Sequence, residues 1–278
     1  MSGHGDDLFR PARTLIGVCH LAPLPGAPRH GGEMGRVIEE AVEDARTLAE
    51  GGAQAVIVEN FGDAPFHAGA VPPETVAGLT LAVHAVREAV GALPVGVNVL
   101  RNDVRAALGI CAATGASFVR VNVHTGAATT DQGLIAGRAA ETLRERARLC
   151  PQVAILADVH VKHATPLGTE SIEDAARETL GRGLADAVIL TGSATGCAPS
   201  SEDLMRVRRA IGDGRLLVGA GVRAEDIALL HGADGAIVGT SLKRDGRIEG
   251  PVDPERVRRL RAAMDGLPSR SADRGDDL

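Results

Sequence analysis

Polar and titratable side chains gather at the ends of short apolar runs in this chain, and their types suit acid–base chemistry on an oxygen-rich substrate. His20 closes the run TLIGVCH, and Glu59-Asn60 closes AQAVIVEN ahead of Phe61-Gly62-Asp63. Asn98 lies in PVGVNVL, which runs into Arg101-Asn102-Asp103. Two triplets stand at alternate positions, Arg120/Asn122/His124 and Asp158/His160/Lys162. Alternate residues of a strand point to one face, so each triplet shares a face for as long as its strand continues. Charged triplets are costly to bury against apolar helices, so the open mouth of a barrel is the place expected for them. Glu59 and Asp158 are the candidate acid/base carboxylates, with His160 as a second proton carrier. Lys162 is a candidate base, imine-forming amine or fixed charge, and Asp158 on the same face is expected to keep it protonated. Of the 30 Lys and Arg residues only Lys162 and Lys243 are lysine. In such an arginine-biased chain, a lysine marks a place where a compact charge with a movable pKa is wanted. His20, Asn60, Asp63, Asn98, Arg120, Asn122 and Thr191 are the candidate substrate contacts, orienting hydroxyls or stabilising a developing negative charge.

Glycine supplies a different chemistry. Two late apolar runs end in Val218-Gly219-Ala220-Gly221 and Val238-Gly239-Thr240-Ser241, and Gly192 follows Thr191 in TGSATG. Glycine lets backbone N–H groups approach an anion closely, and a short helix starting near Thr240-Ser241 would add its positive end. A phosphate is therefore expected on Gly192, Gly219, Ala220, Gly221, Gly239, Thr240 and Ser241. A divalent metal could be assembled from Glu59, Asp158, His160 and His163, but no local spacing such as H-E-x-x-H supports it, and no cofactor is expected.

These groups need a scaffold that brings distant strand ends together. Strands are predicted at 14–20, 53–60, 94–100, 117–123, 153–159, 185–191, 216–219 and 235–238, each Val/Ile/Leu-rich and bounded by turn residues. Amphipathic helices are predicted between and after them at 33–50, 73–90, 104–114, 134–149, 172–182, 201–211, 224–230 and 253–264, with Asp103, Ser171 and Ser200 as caps. Eight strand–helix units predict an α/β fold, a single (β/α)8 barrel, with the phosphate site after strands seven and eight. A doubly wound open sheet is the alternative, but no G-x-G-x-x-G follows the first strand. Residues 14–267 are assigned to the barrel, and 1–13 and 268–278 are expected to be disordered tails. The loop ENFGDAPF holds two of the four phenylalanines and is expected to form a lid or a wall over the substrate.

Composition removes several classes. A net charge of −6 with no basic run argues against a nucleic-acid surface. No apolar stretch approaches the ~20 residues of a membrane helix. Four scattered cysteines, Cys19, Cys111, Cys150 and Cys197, fit reduced thiols and a cytoplasmic setting. A homo-oligomer is expected.

The stretches GVCHLAPLPGAPRH, VIVENFGDAPF, GVNVLRND, FVRVNVHTGA, ILADVHVKHATPL, TGSATG, VGAGV and ADGAIVGTSLKRDG resemble the BtpA/SgcQ family over nearly the whole chain. That resemblance implies a TIM barrel similar to ribulose-phosphate-binding barrels. One name attached to the family concerns photosystem I biogenesis; other members accompany sugar-transport and sugar-kinase genes. The chain departs from the family pattern at Cys19, Ala22 and Ala220, and none of these removes a titratable group. The resemblance supplies no catalytic residue to carry over.

Two readings result. The first is an enzyme acting on a phosphorylated pentose or a nucleotide-like compound, by isomerisation, carbon–carbon or glycosidic cleavage, or group transfer. The second is a non-catalytic assembly factor that uses the barrel as a scaffold. A mouth crowded with titratable groups favours the enzyme.

Overall fold

A strand rich in β-branched residues buries both faces only when helices cover its outer side and other strands its inner side, and eight of the apolar runs do this here. The computed structural model describes residues 8–9, 13–168, 171–192, 196–219 and 221–268. The first half runs β1 (Thr14–His20), α1 (Met34–Glu50), β2 (Ala55–Glu59), α2 (Pro73–Val90), β3 (Val95–Asn98), α3 (Val104–Thr114) and β4 (Phe118–Val121). Then come β5 (Ala127–Thr130), β6 (Gly133–Ala136), α4 (Ala139–Leu149), β7 (Ala154–Val159), β8 (Ala164–Pro166) and α5 (Ile172–Gly181). The chain ends with β9 (Ala187–Leu190), α6 (Ser201–Ile211), β10 (Leu216–Val218), β11 (Gly235–Val238) and α7 (Pro254–Asp265). Strands β1, β2, β3, β4, β7, β9, β10 and β11 pair in parallel and close into a barrel, β1 meeting both β2 and β11. The (β/α)8 fold is thus as expected.

The pleat sorts the side chains into two cores. Ile16, Val18, Ile57, Phe118, Leu156, Ile189, Leu217 and Ile237 fill the barrel interior. Their strand neighbours, such as Leu15, Val56, Val97, Val119, Ile155 and Val188, pack outward against the helices. Phe118 lies over Gly96, where any Cβ would meet its ring at 2.1 Å, so glycine there makes room for the largest interior side chain. The helix starts follow their caps. Asp103 accepts from the Ala106 N–H, Ser171 from Asp174 and Ser200 from Asp203, while Pro73 and Pro254 open α2 and α7.

Three differences from the sequence reading have physical reasons. The helix expected over 134–149 begins only at Ala139, because Gly133–Ala136 is instead a strand paired antiparallel with β5. Its side chains alternate, Ile135 buried and Leu134 exposed, as a half-buried strand requires. With β8 on the other edge of β5, these residues form a small three-stranded sheet outside the barrel. Residues 224–230 form a kinked 3-10 segment in place of an α-helix. Finally, Leu8 and Phe9 fall in a segment expected to be disordered. Yet Leu8 is buried in the interior cluster, its carbonyl accepting from Thr14 Oγ1 at 2.7 Å, and Phe9 lies under the Arg215 guanidinium. No helix among the described residues is long and apolar enough to cross a membrane.

Candidate active site

Moving two residues past an interior position on each barrel strand reaches one level at the C-terminal mouth. That level carries His20, Glu59, Asn98, Arg120, Asp158 and Thr191, then Gly219 and Gly239. The register places His20 beside Glu59 and Glu59 beside Asn98 on neighbouring strands. Six polar side chains and two glycines thus cap an otherwise apolar interior. The glycines leave one side of the mouth open.

Hydrogen bonds divide the two expected carboxylates. Asp158 is fully engaged: Oδ1 accepts from Arg120 Nε at 3.1 Å, and Oδ2 from Arg120 Nη2 at 3.1 Å and Asn122 Nδ2 at 2.7 Å. Glu59 accepts at Oε2 from the neutral Asn98 amide at 2.5 Å and faces the cavity. A bidentate pair with arginine fixes orientation, so Asp158 sets the Arg120 plane while Glu59 keeps proton-accepting capacity.

Charge and burial tune the remaining groups. Burial alone would raise the Glu59 carboxyl, but His20 in its protonated form, Arg120, Lys162 and the Asn98 amide outweigh it and hold it below its ordinary range. His20 is pushed down to about 4, chiefly by burial, with Lys243, Lys162 and Arg120 adding to the fall and Glu59 opposing it. Its imidazole is therefore neutral at neutral pH, beside an ionised carboxylate. Lys162 is lowered by burial and then by Arg120, against the pull of Glu59 and Asp158. Asp158 was expected to hold Lys162 protonated, but its carboxylate is bound to Arg120, and the net direction is downward.

A cavity of about 480 Å3 opens at this level and joins the two chemistries read from the sequence. Its walls include His20, Glu59, Arg120 and Lys162, and its glycine side is Gly219, Gly221, Gly239, Thr240 and Ser241. Ser241 Oγ donates to the Val222 carbonyl at 2.7 Å, tying the β10 and β11 ends together. Ala220 lies outside the described residues, as do 193–195 of the TGSATG loop.

Several expected contacts sit elsewhere. Asn60 and Asp63 serve the backbone: Asn60 accepts from Leu100 N at Oδ1 and donates from Nδ2 to Asp63, whose Oδ1 accepts from Leu24 N at 2.8 Å. With Gly62 N bonded to Leu21 O, they pin the ENFGDAPF loop as a wall. Thr191 Oγ1 accepts from Lys162 N at 3.0 Å, and Gly192 packs against the Cys197 and Ala198 backbone rather than the cavity. The two shared faces fail where the strands end. β4 stops at Val121, and His124 turns to the Gly183 carbonyl at 2.8 Å. β7 stops at Val159, His160 takes a φ of 50°, and its ring faces a smaller cleft beside the β5 strand. Among the described residues no three His, Cys, Asp or Glu side chains lie together as a metal site, so Glu59, Asp158, His160 and His163 are not assembled into one. Lys243, the other lysine, is buried in an ion pair with Asp44 of α1.

Sequence reasoning missed Arg223, Arg256 and Arg259 on the rim of the glycine side, and Asp131 at the tip of the β5–β6 hairpin. Nothing local marks the three arginines in so arginine-rich a chain. Asp131-Gln132-Gly133 between Thr129-Thr130 and Leu134-Ile135 was a readable turn.

The fold and the site define a (β/α)8 barrel with a polar, glycine-sided cavity at its C-terminal mouth. The BtpA family profile matches residues 11–266, and the chain belongs to the BtpA family. It is 49% identical over 269 residues to the photosystem I biogenesis protein BtpA of Synechocystis sp., covering 95% of this chain and 93% of that one. It is 32% identical over 249 residues to the sgc region protein SgcQ of Escherichia coli, covering 88% and 91% of the two. Among solved structures, N-(5'-phosphoribosyl)anthranilate isomerase from Pyrococcus furiosus superposes with a TM-score of 0.57 at 14% identity, over 92% of this chain and 100% of that one. At that identity the likeness concerns the fold.

Proposed function

We propose that this protein is an enzyme acting on a phosphorylated pentose, or on a nucleotide-like compound that carries one, by acid–base chemistry at the barrel mouth. One observation carries the reading: the glycine-sided end of the cavity and the Glu59, His20, Lys162 and Arg120 side chains line the same space. The phosphate docks against Gly219, Gly221, Gly239, Thr240 and Ser241, where backbone approaches without a side chain in the way. This holds the sugar with its reactive carbon near Glu59. Glu59, ionised at neutral pH, takes the proton; neutral His20 donates or accepts a hydrogen bond at an adjacent oxygen; Lys162 and Arg120 stabilise the negative charge that develops. Asp158 acts through Arg120 as a positioning residue. The reaction is an isomerisation, a carbon–carbon or glycosidic cleavage, or a group transfer. The Pyrococcus isomerase, whose name includes a phosphoribosyl group, is a barrel of like fold.

The name of the Synechocystis relative favours a second reading, a non-catalytic role in assembling a membrane complex. A scaffold of that kind has no use for a phosphate in the mouth, so ligand binding separates the two. Calorimetric titration with ribose 5-phosphate and with inorganic phosphate should show binding, and Thr240→Asp should abolish it by placing a carboxylate beside the anion. Absence of binding by the unaltered protein, or full affinity in Thr240→Asp, refutes the enzyme site as drawn. Gly221 is a poorer target, because any Cβ there would meet the Ala198 backbone nitrogen at 2.2 Å.

A further inference from the structure

The mouth has a second arm. Beside the glycine-sided cavity lies another of about 540 Å3, and the two share Glu59, Arg120 and Lys162. Each falls in the range of roughly 300–1,000 Å3 that holds a small ligand. The walls of the two arms differ in kind. The first offers glycine backbone. The second offers the rings of Phe61 and Phe66, the Arg101 guanidinium, Asn122 and, from the hairpin tip, Asp131.

We infer that the second arm holds a flat heteroaromatic group, so that the substrate is a nucleotide-like monophosphate rather than a bare sugar phosphate. This rests on the proposed phosphate site. Phe61 and Phe66 are two of four phenylalanines in a chain without Trp or Tyr, and both are only half-buried, facing a cavity instead of a core. Their ring centroids lie 6.4 Å apart at 62°, Phe61 also packs edge-on against His20 at 5.0 Å, and both phenylalanines line this arm. Across from them Arg101 is 4% exposed, held by a 2.6 Å bond to the Lys162 carbonyl, with its Nε lacking a partner among the described residues. Asn122 Oδ1, also buried, lacks one too. The Arg101 guanidinium, the Asn122 side chain and the exposed Asp131 carboxylate line this arm and suit a ring whose edge carries both acceptors and N–H donors. A sugar with only hydroxyls leaves the phenylalanine faces unmatched. With phosphate in one arm and the ring in the other, the sugar carbon that bears the ring lies at the junction, beside Glu59 and Lys162. Phe61, Phe66 and Asp131 are then specificity-determining residues.

The test is calorimetric titration of the full chain with ribose 5-phosphate, adenosine 5'-monophosphate and uridine 5'-monophosphate. At least one nucleotide should bind about tenfold or more tightly than ribose 5-phosphate, since stacking of a base on one aromatic ring is commonly worth that factor. Phe66→Ala should remove most of the difference while leaving ribose 5-phosphate within about twofold. Phe66→Leu keeps the apolar bulk and loses the ring face, so it should weaken the nucleotide in the same direction without disturbing the fold. Equal affinities for nucleotides and ribose 5-phosphate overturn the inference and leave the phosphate site standing. So does a Phe66→Leu variant that keeps the full difference. If none of the three compounds binds, the phosphate site fails, and this inference fails with it.

Discussion

Asp158→Asn separates a positioning carboxylate from a reacting one. The Arg120 and Asp158 side chains are 3% and 0% exposed, so their pair is a buried one. All three hydrogen bonds that reach the Asp158 carboxylate are donated to it, two by Arg120 and one by Asn122. An asparagine amide placed there turns its NH2 towards a donor whichever way it is flipped. It also leaves the buried Arg120 cation without the carboxylate that binds it. Breaking a buried pair from one side costs about 3–5 kcal/mol, out of a domain stability of about 5–15 kcal/mol. For a chain of this size each kcal/mol lowers the thermal midpoint by about 2–4 °C, so a fall of about 6–20 °C is expected. Differential scanning calorimetry or circular dichroism reads this directly, and the absence of Trp and Tyr rules out the usual fluorescence assay. The double variant Arg120→Met/Asp158→Leu removes both charges and should recover much of the loss. A single variant as stable as the parent protein would refute this and return Asp158 to the candidate acids and bases.

Three other outcomes follow from the same geometry. Glu59→Gln should retain the Asn98 hydrogen bond and the fold, while turnover of the phosphorylated substrate falls by about 10²–10⁴-fold, measured beside the thermal midpoint. His20 titrates near 4 when folded, against 6.5 for an ordinary histidine. The unfolded chain therefore takes up its proton first, and the stability from keeping the ring neutral is full above about pH 6.5 and lost as pH falls towards 4, by about 3 kcal/mol. Urea titrations across that window should show the fall, and His20→Gln should flatten it. Lys162→Arg should largely inactivate a folded enzyme, because a guanidinium is larger and does not give up its proton. Borohydride trapping with a carbonyl substrate then tells an imine from a fixed charge, and a fully active variant returns Lys162 to the background.

Most of the fold was legible because closed parallel barrels write themselves as β-branched runs spaced by amphipathic helices, and the eight barrel strands lie within the predicted ones. The β5–β6 hairpin was not read, since Leu134 and Ile135 fit a helical stripe as well as a two-residue alternation over so short a stretch. The Thr129-Thr130 pair and the Asp131-Gln132-Gly133 turn held the deciding signal. For the site, alternation placed Glu59, Asn98, Arg120, Asn122 and Asp158 at the strand ends where the structure has them, because each is on a paired strand or one residue past its end. It failed at His124 and His160. Past the last paired residue the pleat no longer fixes the side chain, and His160 enters the left-handed region. Asn60 and Asp63 looked like ligands because turn-bracing polar residues are the same types as substrate contacts. Only their hydrogen bonds to Leu24 and Leu100 tell the two uses apart.

The glycines of the mouth require a separate argument, because packing alone could account for them. A Cβ at Gly219 would meet Ile189 Cγ2 at 2.3 Å, and one at Gly239 would meet His20 Cε1 at 2.4 Å. Gly219 is thus set by the interior layer below it, and an apolar reason suffices there. At Gly239 the obstructing group is His20, a titratable ring at the mouth whose buried Nδ1 has no partner among the described residues. A smaller apolar residue at position 20 would leave room for a side chain at 239. Instead the chain keeps a buried histidine, whose neutral state weakens stability in acid, and gives up a side chain to seat it. The ring packs edge-on against Phe61 at 5.0 Å and stands between the Glu59 carboxylate and the glycine side of the cavity. Gly239 and His20 are therefore one feature, and a His20→Ala/Gly239→Ala pair should fold while losing the site.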